Sequence, residues 1–427
     1  MLIIISIILI IIALLGAPLF TVIVAAALAG FYTEEIDLSV IGIEIYRIAN
    51  TPLLLALPLF TFAGYLLSES NTSKRLVNLS EAAVGWMSGG LAIVAFVISA
   101  FFTAFTGASG ITIVALGALL YPALKHGGYS DKFSLGLVTT SGSLGLLLPP
   151  SLPLILYGII AQQLDTGQSI TFSELFLAGL FPAMLMIAAL SMWTIYSTRH
   201  DNIERIAFSA TRLKHALWDM RWELPMPPFV LGGIYSGYFA VSEAAAVTAL
   251  YILIVEVFIY REINFTQLIK IMRESMVMVG GILLILAVSL ALTNVFVDAE
   301  IPMHLFDFIQ QHVDSKFTFL ILLNIFLLVL GAILDIFSAL VIVVPLILPI
   351  AIGYGINPVH LGIIFLANMQ IGYFTPPIGM NLFIASYRFK KPISEIYHAT
   401  IPFMFVLLVT LLIITYVPAL SLFLIRE

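Results

Sequence analysis

Apolar runs of about 20 residues, the length that carries a helix across a bilayer, follow one another along nearly the whole chain, separated by short polar links. The first covers 2–31 and opens onto an acidic link holding Glu34, Glu35, Asp37 and Glu44. It lacks a basic leading segment and a small-residue cleavage site, so it reads as a retained helix rather than a signal peptide. A span at 51–67 and a polar connection at 71–86 with Lys74 and Arg75 follow. Further spans fall at 171–197, 275–297 and 396–424. The run 224–260 is too long for one helix and splits near Ser236–Ser242, which adds a crossing close to Pro225–Ser236.

Four stretches depart from this rhythm. The run 91–124 carries Thr103, Thr106, Gly107, Ser109 and Gly110 in its middle, which leaves each limb short for a span. A helical hairpin over 87–124 fits it better. The run 317–352 has the same form, with Asp335 and Ser338 at its tip. In 133–162 the helix meets Gly145-Leu146-Leu147-Leu148-Pro149-Pro150-Ser151-Leu152-Pro153, and in 357–387 it meets Gly372-Tyr373-Phe374-Thr375-Pro376-Pro377-Ile378-Gly379-Met380. Proline removes a backbone donor and clashes with the preceding turn, so both helices must break. Broken backbone survives at membrane depth only inside protein or along a polar cavity.

The four stretches form two copies. Gly145 and Gly372, Pro149 and Pro376, Pro150 and Pro377, and Pro122 and Pro349 are each 227 residues apart. Ser173-Glu174 and Ser394-Glu395 then stand 221 apart. With these spans, fifteen of the 18 Lys and Arg fall on one side, against Arg47, Lys316 and Arg426 on the other. The positive-inside rule makes the fifteen cytoplasmic. The first hairpin then enters from the cytoplasm and the second from the opposite face. The chain is expected to comprise two inverted repeats, 1–198 and 222–427, joined by a cytoplasmic amphipathic linking helix over 199–221. The expected fold is an all-α polytopic membrane protein, an inverted-repeat transporter with two re-entrant hairpins and two broken helices.

Composition agrees: 61% of residues are hydrophobic and 10% charged, where a soluble chain carries about 25% charged residues. The absence of cysteine excludes disulfides, thiolate metal sites and cysteine nucleophiles. Oxygen ligation by carbonyls, Ser and Thr at the tips and breaks suits a hard ion, and sodium is the best candidate. Asp335 is costly at membrane depth and points to function, although Asp is also a favoured N-cap. Ser109 and Ser151 read equally as ligands or caps. Asn368, Gln370, Thr375 and Asn381 either face the same cavity or join helices. Glu243 and Glu256 read as structural. An intramembrane serine protease at Gly107-Ala108-Ser109-Gly110 needs a nearby base, and the seven histidines fall in loops or at span ends. No G-x-x-x-x-G-K-[ST] motif supports an ATP-driven pump. A passive channel and a stand-alone sodium/dicarboxylate symporter stay open as alternatives.

The chain resembles the large membrane subunit of tripartite ATP-independent periplasmic (TRAP) transporters. Gly128-Tyr129-Ser130-Asp131 leading to Gly142–Pro153, and Gly232-Gly233-Ile234-Tyr235-Ser236-Gly237-Tyr238-Phe239 running into Ser242-Glu243-Ala244-Ala245-Ala246-Val247, carry the likeness. Leu334-Asp335-Ile336-Phe337-Ser338-Ala339 and the stretch 372–381 complete it. The resemblance implies an elevator-type, sodium-coupled importer of an organic acid in the bacterial inner membrane. Its implied partners are a periplasmic substrate-binding protein, a small four-helix membrane subunit and the lipid bilayer, with no nucleic acid. A chain that begins directly with its first span looks unfused to the small subunit. No cofactor is implied beyond sodium as coupling ion. Sodium would sit at Gly107, Ser109, Gly145 and Pro149, and again at Asp335, Gly372, Thr375 and Pro376. Substrate would lie between, near Ser109, Ser151 and Asp335, with Asn381 facing the same cavity. The first tip, Thr106-Gly107-Ala108-Ser109-Gly110-Ile111-Thr112, resembles the sialic acid branch, which favours sialic acid over a C4-dicarboxylate.

Overall fold

The computed structural model describes residues 8–9, 11–12, 15–33, 36–87, 89–164, 170–199 and 207–425. Glu34, Glu35, His200, Arg205 and Arg426 lie outside the described residues, as do the start of the first run and part of the linking segment. Every regular element among the described residues is helical. Among the described residues, eight helices are long and apolar enough to cross a membrane.

After helical residues at 8–9 and 11–12 come α1 (Leu19–Thr33) and α2 (Val40–Ala49), then a short turn of 3₁₀ helix leads into α3 (Ala56–Glu69) and α4 (Thr72–Val84). The first hairpin is α5 (Gly90–Thr106) turning into α6 (Ser109–Ala115) and α7 (Gly117–His126). The first broken helix is α8 (Asp131–Ser141), a 3₁₀ turn at Leu144–Leu147, and α9 (Leu152–Gln163). After α10 (Phe172–Ser197) come α11 (Ala210–Asp219), α12 (Met226–Tyr235), α13 (Val241–Leu253), α14 (Phe265–Asp298) and α15 (Ile301–His312). The second hairpin is α16 (Lys316–Ile333) and α17 (Ile336–Gly353), and the second broken helix is α18 (Pro358–Gly372) and α19 (Met380–Phe389). Helices α20 (Ile393–Tyr416) and α21 (Ala419–Leu422) end the chain.

Three sequence expectations need correction. The first run is not one helix: a turn at Leu15-Gly16, with Gly16 at φ +92°, and Pro18 interrupt it before α1. Among the described residues of the linking segment the helix is Ala210–Asp219, where Ser209 caps α11 by accepting from Arg212 N at 3.3 Å. The extra crossing has only ten helical residues in α12, about 15 Å at 1.5 Å per residue. Pro225, Pro227 and Pro228 confine the helix start, and Gly237 at φ +75° follows its end. Tyr251 and Tyr260 nevertheless bond back to Trp222 O (2.6 Å) and Asp219 O (2.5 Å). Residues 219–235 therefore run back along α13, so the two ends of the excursion meet.

The two halves match element by element at the 227-residue offset. The first-half segments 90–106, 109–126, 131–141 and 152–163 are followed at that distance by α16, α17, α18 and α19. Ser130 caps α8, and Asn357, at the matching position, caps α18. Pro149–Pro150 and Pro376–Pro377 are both cis. Each break packs against its own hairpin through a backbone contact only glycine permits: a Cβ on Gly145 would stand 2.0 Å from Ala100 O and 2.5 Å from Ala104 N, and one on Gly372 would stand 2.6 Å from Gly331 Cα. Ala104 and Gly331 are themselves matching positions. Small residues that let backbones meet are how helices associate where lipid is as apolar as leucine. Ser143 Oγ donates to Gln370 O at 3.0 Å, a contact between matching positions of the two breaks.

Residues assigned to the positive side by charge find one another. Arg75 pairs with Glu223 at 2.6 Å, Glu256 at 3.5 Å and Glu262 at 2.5 Å, Arg212 pairs with Glu81, and Asp131 takes both Lys125 and Lys391. On the other side Lys316 donates to Gly355 O, and Glu44 is buried, holding Arg47 and Asn294.

Candidate functional site

A cavity of about 1100 Å³ reaches from the positive side to both hairpin tips. Its mouth carries Glu69 at the end of α3, Glu274 in α14, and Tyr387 and Arg388 in the last turns of α19. Its inner wall is the first tip, Gly107 to Ile111, facing Asp335, Phe337 and Tyr373 of the second repeat.

The first tip is a tight reversal. Thr106 ends α5, Gly107 turns the chain at φ +65°, and a Cβ there would stand 2.4 Å from Leu152 Cδ1. Gly64 of α3 backs the same tip, its hypothetical Cβ 2.5 Å from Phe105 O. Ser109, 1% exposed, donates to Asn381 Oδ1 at 2.8 Å. Asn381 N donates to Tyr373 O at 2.9 Å, and Tyr373 Oη accepts from Ile336 N at 2.7 Å. One polar chain thus runs from the first tip through the second break to the second tip.

The second tip differs at its cap. Asp335 Oδ1 accepts from Phe337 N and Ser338 N, both at 3.0 Å, and Oδ2 accepts from the Ser338 hydroxyl. With Ile336 N held by Tyr373, the amides at the start of α17 already have partners. An incoming anion gains little from that helix terminus, whose positive end attracts negative charge only where its N–H groups are free. At the matching position in the first tip stands Ala108, which offers no side-chain cap.

Of the sequence-predicted substrate residues, Ser109 and Asp335 line the cavity and Asn381 supports it from behind. Ser151 does not reach it. It is fully buried and its Oγ donates to Leu146 O at 2.7 Å, closing the turn across the prolines. Gly145 and Pro149 are buried in the first break, while Thr375 and Pro376 are part-exposed in the second. Thr375 Oγ1 donates to Ile371 O at 2.9 Å. Asn368 bonds Asn324 at 2.6 Å and so joins helices. Glu243 Oε2 accepts from Ala240 N at 2.9 Å, a turn contact.

Oxygen atoms also converge one turn from the expected residues. Thr103 Oγ1 lies 2.7 Å from Ser99 O, 2.8 Å from Gly142 O and 2.7 Å from Thr112 Oγ1, all buried between α5, α6 and the first break. A threonine has a single hydroxyl hydrogen, so two carbonyls and two hydroxyls share two hydrogens and keep lone pairs to spare. Thr106 Oγ1 is buried nearby in sequence with no partner. Every donor in this cluster is an uncharged oxygen.

Thr112 stood in the sequence only as a tip residue, and Tyr373, which ties the second tip to the second break, had no signal of its own: the matching residue is Leu146. Arg388 could have been found from its place one helical face along from Asn381. No histidine lines the cavity among the described residues.

A model of the tripartite ATP-independent periplasmic transporter DctM component matches residues 4–420. The C4-dicarboxylate TRAP transporter large permease protein DctM of Rhodobacter capsulatus is 32% identical over 400 residues, covering 92% of this chain and 91% of that one. The isethionate TRAP transporter permease protein DctMQ of Oleidesulfovibrio alaskensis is 31% identical over 409 residues, 95% of this chain and 62% of that one. Among solved structures, the Alcanivorax borkumensis YdaH transporter superposes with a TM-score of 0.65 at 13% identity, over 90% of this chain and 88% of that chain, a likeness of fold. The helical membrane architecture, the cavity at the paired tips and the match along nearly the whole length agree: the chain belongs to the DctM family of large TRAP transporter subunits, multi-pass inner-membrane permeases that are secondary transporters and not enzymes.

Proposed function

We propose that this permease imports an organic acid by sodium-coupled symport, with its two halves working as inverted repeats in an elevator cycle. The observation that carries the reading is the polar chain Ser109–Asn381–Tyr373–Ile336, which ties both hairpin tips and a broken helix around one cavity. Interrupted segments at corresponding places in two halves are the mark of a transport site near the membrane midplane. The Ser143–Gln370 contact between matching positions supports a two-fold relation between the halves. The oxygen cluster at Thr103, Thr112 and Gly142 supports sodium at the first hairpin. In the second repeat the positions matching Thr103, Thr112 and Gly142 are Leu330, Ala339 and Met369, so sodium there would rely instead on Asp335, Gly372, Thr375 and Pro376.

Relatives named for a C4-dicarboxylate and for isethionate share an organic anion as cargo, and an organic acid is the reading for this chain. N-acetylneuraminate, which the first-tip sequence favours, and succinate are the two probes. By family membership the permease would work with a periplasmic binding protein and a small membrane subunit. The test is reconstitution with candidate partners in proteoliposomes, following labelled succinate and N-acetylneuraminate. Uptake driven by an inward sodium gradient, and abolished when sodium is replaced by potassium, is expected. Downhill flux indifferent to sodium and to any partner would instead establish a passive channel. Sodium-driven uptake without any partner would establish a stand-alone symporter.

A further inference from the structure

Arg388 is the sole cation among the residues that line the transport cavity, and it makes no ion pair among the described residues. Its neighbour Lys391 is, by contrast, held by Asp131 at 2.7 Å and Glu395 at 3.0 Å. The placement of Arg388 follows from helix geometry. Residues three and four apart share a helical face, so Asn381, Ile384 and Arg388 lie along one stripe of α19. Asn381 accepts the Ser109 hydroxyl. Ile384 Cδ1 lies where a Cβ on Gly110 would come within 2.7 Å of it. The stripe therefore rests on the first tip, and Arg388 continues it outward, about 10 Å beyond Asn381 at 1.5 Å per residue. The chain turns away immediately afterwards, with Lys390 at φ +53°.

We propose that Arg388 is a specificity-determining residue: it pairs with a second anionic group of a substrate whose other end lies at the Ser109 tip. The substrate class is then an extended dianionic organic acid. An acid held at the tip by one end reaches the guanidinium only with a charge at its far end. Arginine suits the task because its planar fork meets a carboxylate with two parallel hydrogen bonds. The second tip cannot substitute, because Asp335 occupies the amides of α17. The remaining charges at this cavity, Glu69, Glu274 and Asp335, are acidic, which leaves Arg388 to discriminate in favour of the anion. The assignment rests on the reading of the chain as an organic-acid permease.

The experiment uses inside-out membrane vesicles carrying the full chain with the small membrane subunit, and with the binding protein enclosed, so that substrate added outside meets the cytoplasmic mouth directly. Labelled succinate, its monoamide succinamate, and N-acetylneuraminate are compared in the unaltered protein, Arg388→Gln and Arg388→Lys. The expected result is a preference of tenfold or more for succinate over succinamate, equivalent to about 1.4 kcal/mol. Arg388→Gln should abolish it through KM, and Arg388→Lys should restore part of it. A preference that survives Arg388→Gln overturns the assignment while leaving the organic-acid reading intact. Transport of N-acetylneuraminate without succinate overturns the dianionic class. An unaltered protein that moves none of these acids overturns the organic-acid reading, and the assignment falls with it.

Discussion

Asp335 separates a structural role from a transport role by magnitude. Its Oδ1 caps α17 through two backbone N–H groups at 3.0 Å, and its Oδ2 takes the Ser338 hydroxyl. Removing such a cap costs about 0.5–2 kcal/mol, and a loss of one to two kcal/mol is a factor of about 5–30 in an equilibrium. If Asp335 only caps, Asp335→Ala should lower sodium-driven uptake by no more than that factor. Asp335→Asn, which keeps an acceptor oxygen and is an equally good cap, should then transport normally. If its negative charge serves the sodium or substrate step, both variants should fall more than a hundredfold. Thermal stability of the purified protein should nevertheless stay close to wild type for Asp335→Asn. The assay is initial uptake into proteoliposomes across a sodium titration, paired with melting of the same preparations. Wild-type uptake by Asp335→Asn refutes the transport role outright.

Three further expectations follow from the packing and the charges. Gly145→Ala places a methyl 2.0 Å from Ala100 O and 2.5 Å from Ala104 N, backbone atoms that cannot rotate away. Overpacking of this kind costs about 1–3 kcal/mol or more, so melting should drop and uptake should be lost, and a fully stable, active variant would contradict the described contact. Because the chain has no cysteine, Val114→Cys gives a single reporter on the cavity wall; it should react with a membrane-impermeant maleimide from the cytoplasmic face only, and labelling from outside would reverse the orientation deduced from charge. Burial pushes the Glu262 carboxyl up, but hydrogen bonds from Arg75 and Asn71 outweigh it and hold the group below its ordinary range. Its contribution is then complete above the usual carboxylate value of about 4.3 and is lost as pH falls through the lower folded value. The melting difference between wild type and Glu262→Gln should therefore shrink on acidification, and a difference constant to pH 3 would exclude the bracket.

The first hairpin and both breaks were legible because glycine and proline punctuate backbone wherever they occur, and the second hairpin because Asp335 and Ser338 interrupt an apolar run. Thr106-Gly107 and the two Pro-Pro pairs interrupt helices for local reasons that need no knowledge of neighbours. Side-chain direction was not legible. Helices α8, α9 and α18 are buried on nearly every face, α18 throughout its length, so no apolar stripe distinguishes inside from outside. That is why Ser151 looked as exposed to a ligand as Ser109, although it turns back onto Leu146 O. It is also why Tyr373 passed unnoticed, since its role depends on meeting Ile336 from another element. The interruption at Gly16–Pro18 was written in the residues but masked by the apolar sequence on both sides. Hydropathy averaged over a window carries a span across a break that a single glycine and proline impose.

The same frame bearing different tips bears most directly on mechanism. At offset 227, Ala108 stands where Asp335 stands, Ser109 where Ile336 stands, and Leu146 where Tyr373 stands. The duplicated backbone thus places two equivalent turns at one cavity, and side chains make them unlike. One tip offers a hydroxyl to the opposite half through Asn381; the other fills its own helix terminus with a carboxylate. If both tips bound the same ligand group, exchanging their caps would cost little. We infer that they do not. A paired variant, Ala108→Asp with Asp335→Ala, restores one cap carboxylate per molecule but on the wrong half, and should be no more active than Asp335→Ala alone. Recovery of uptake in the pair would show the tips to be interchangeable and would remove the basis for assigning them separate tasks.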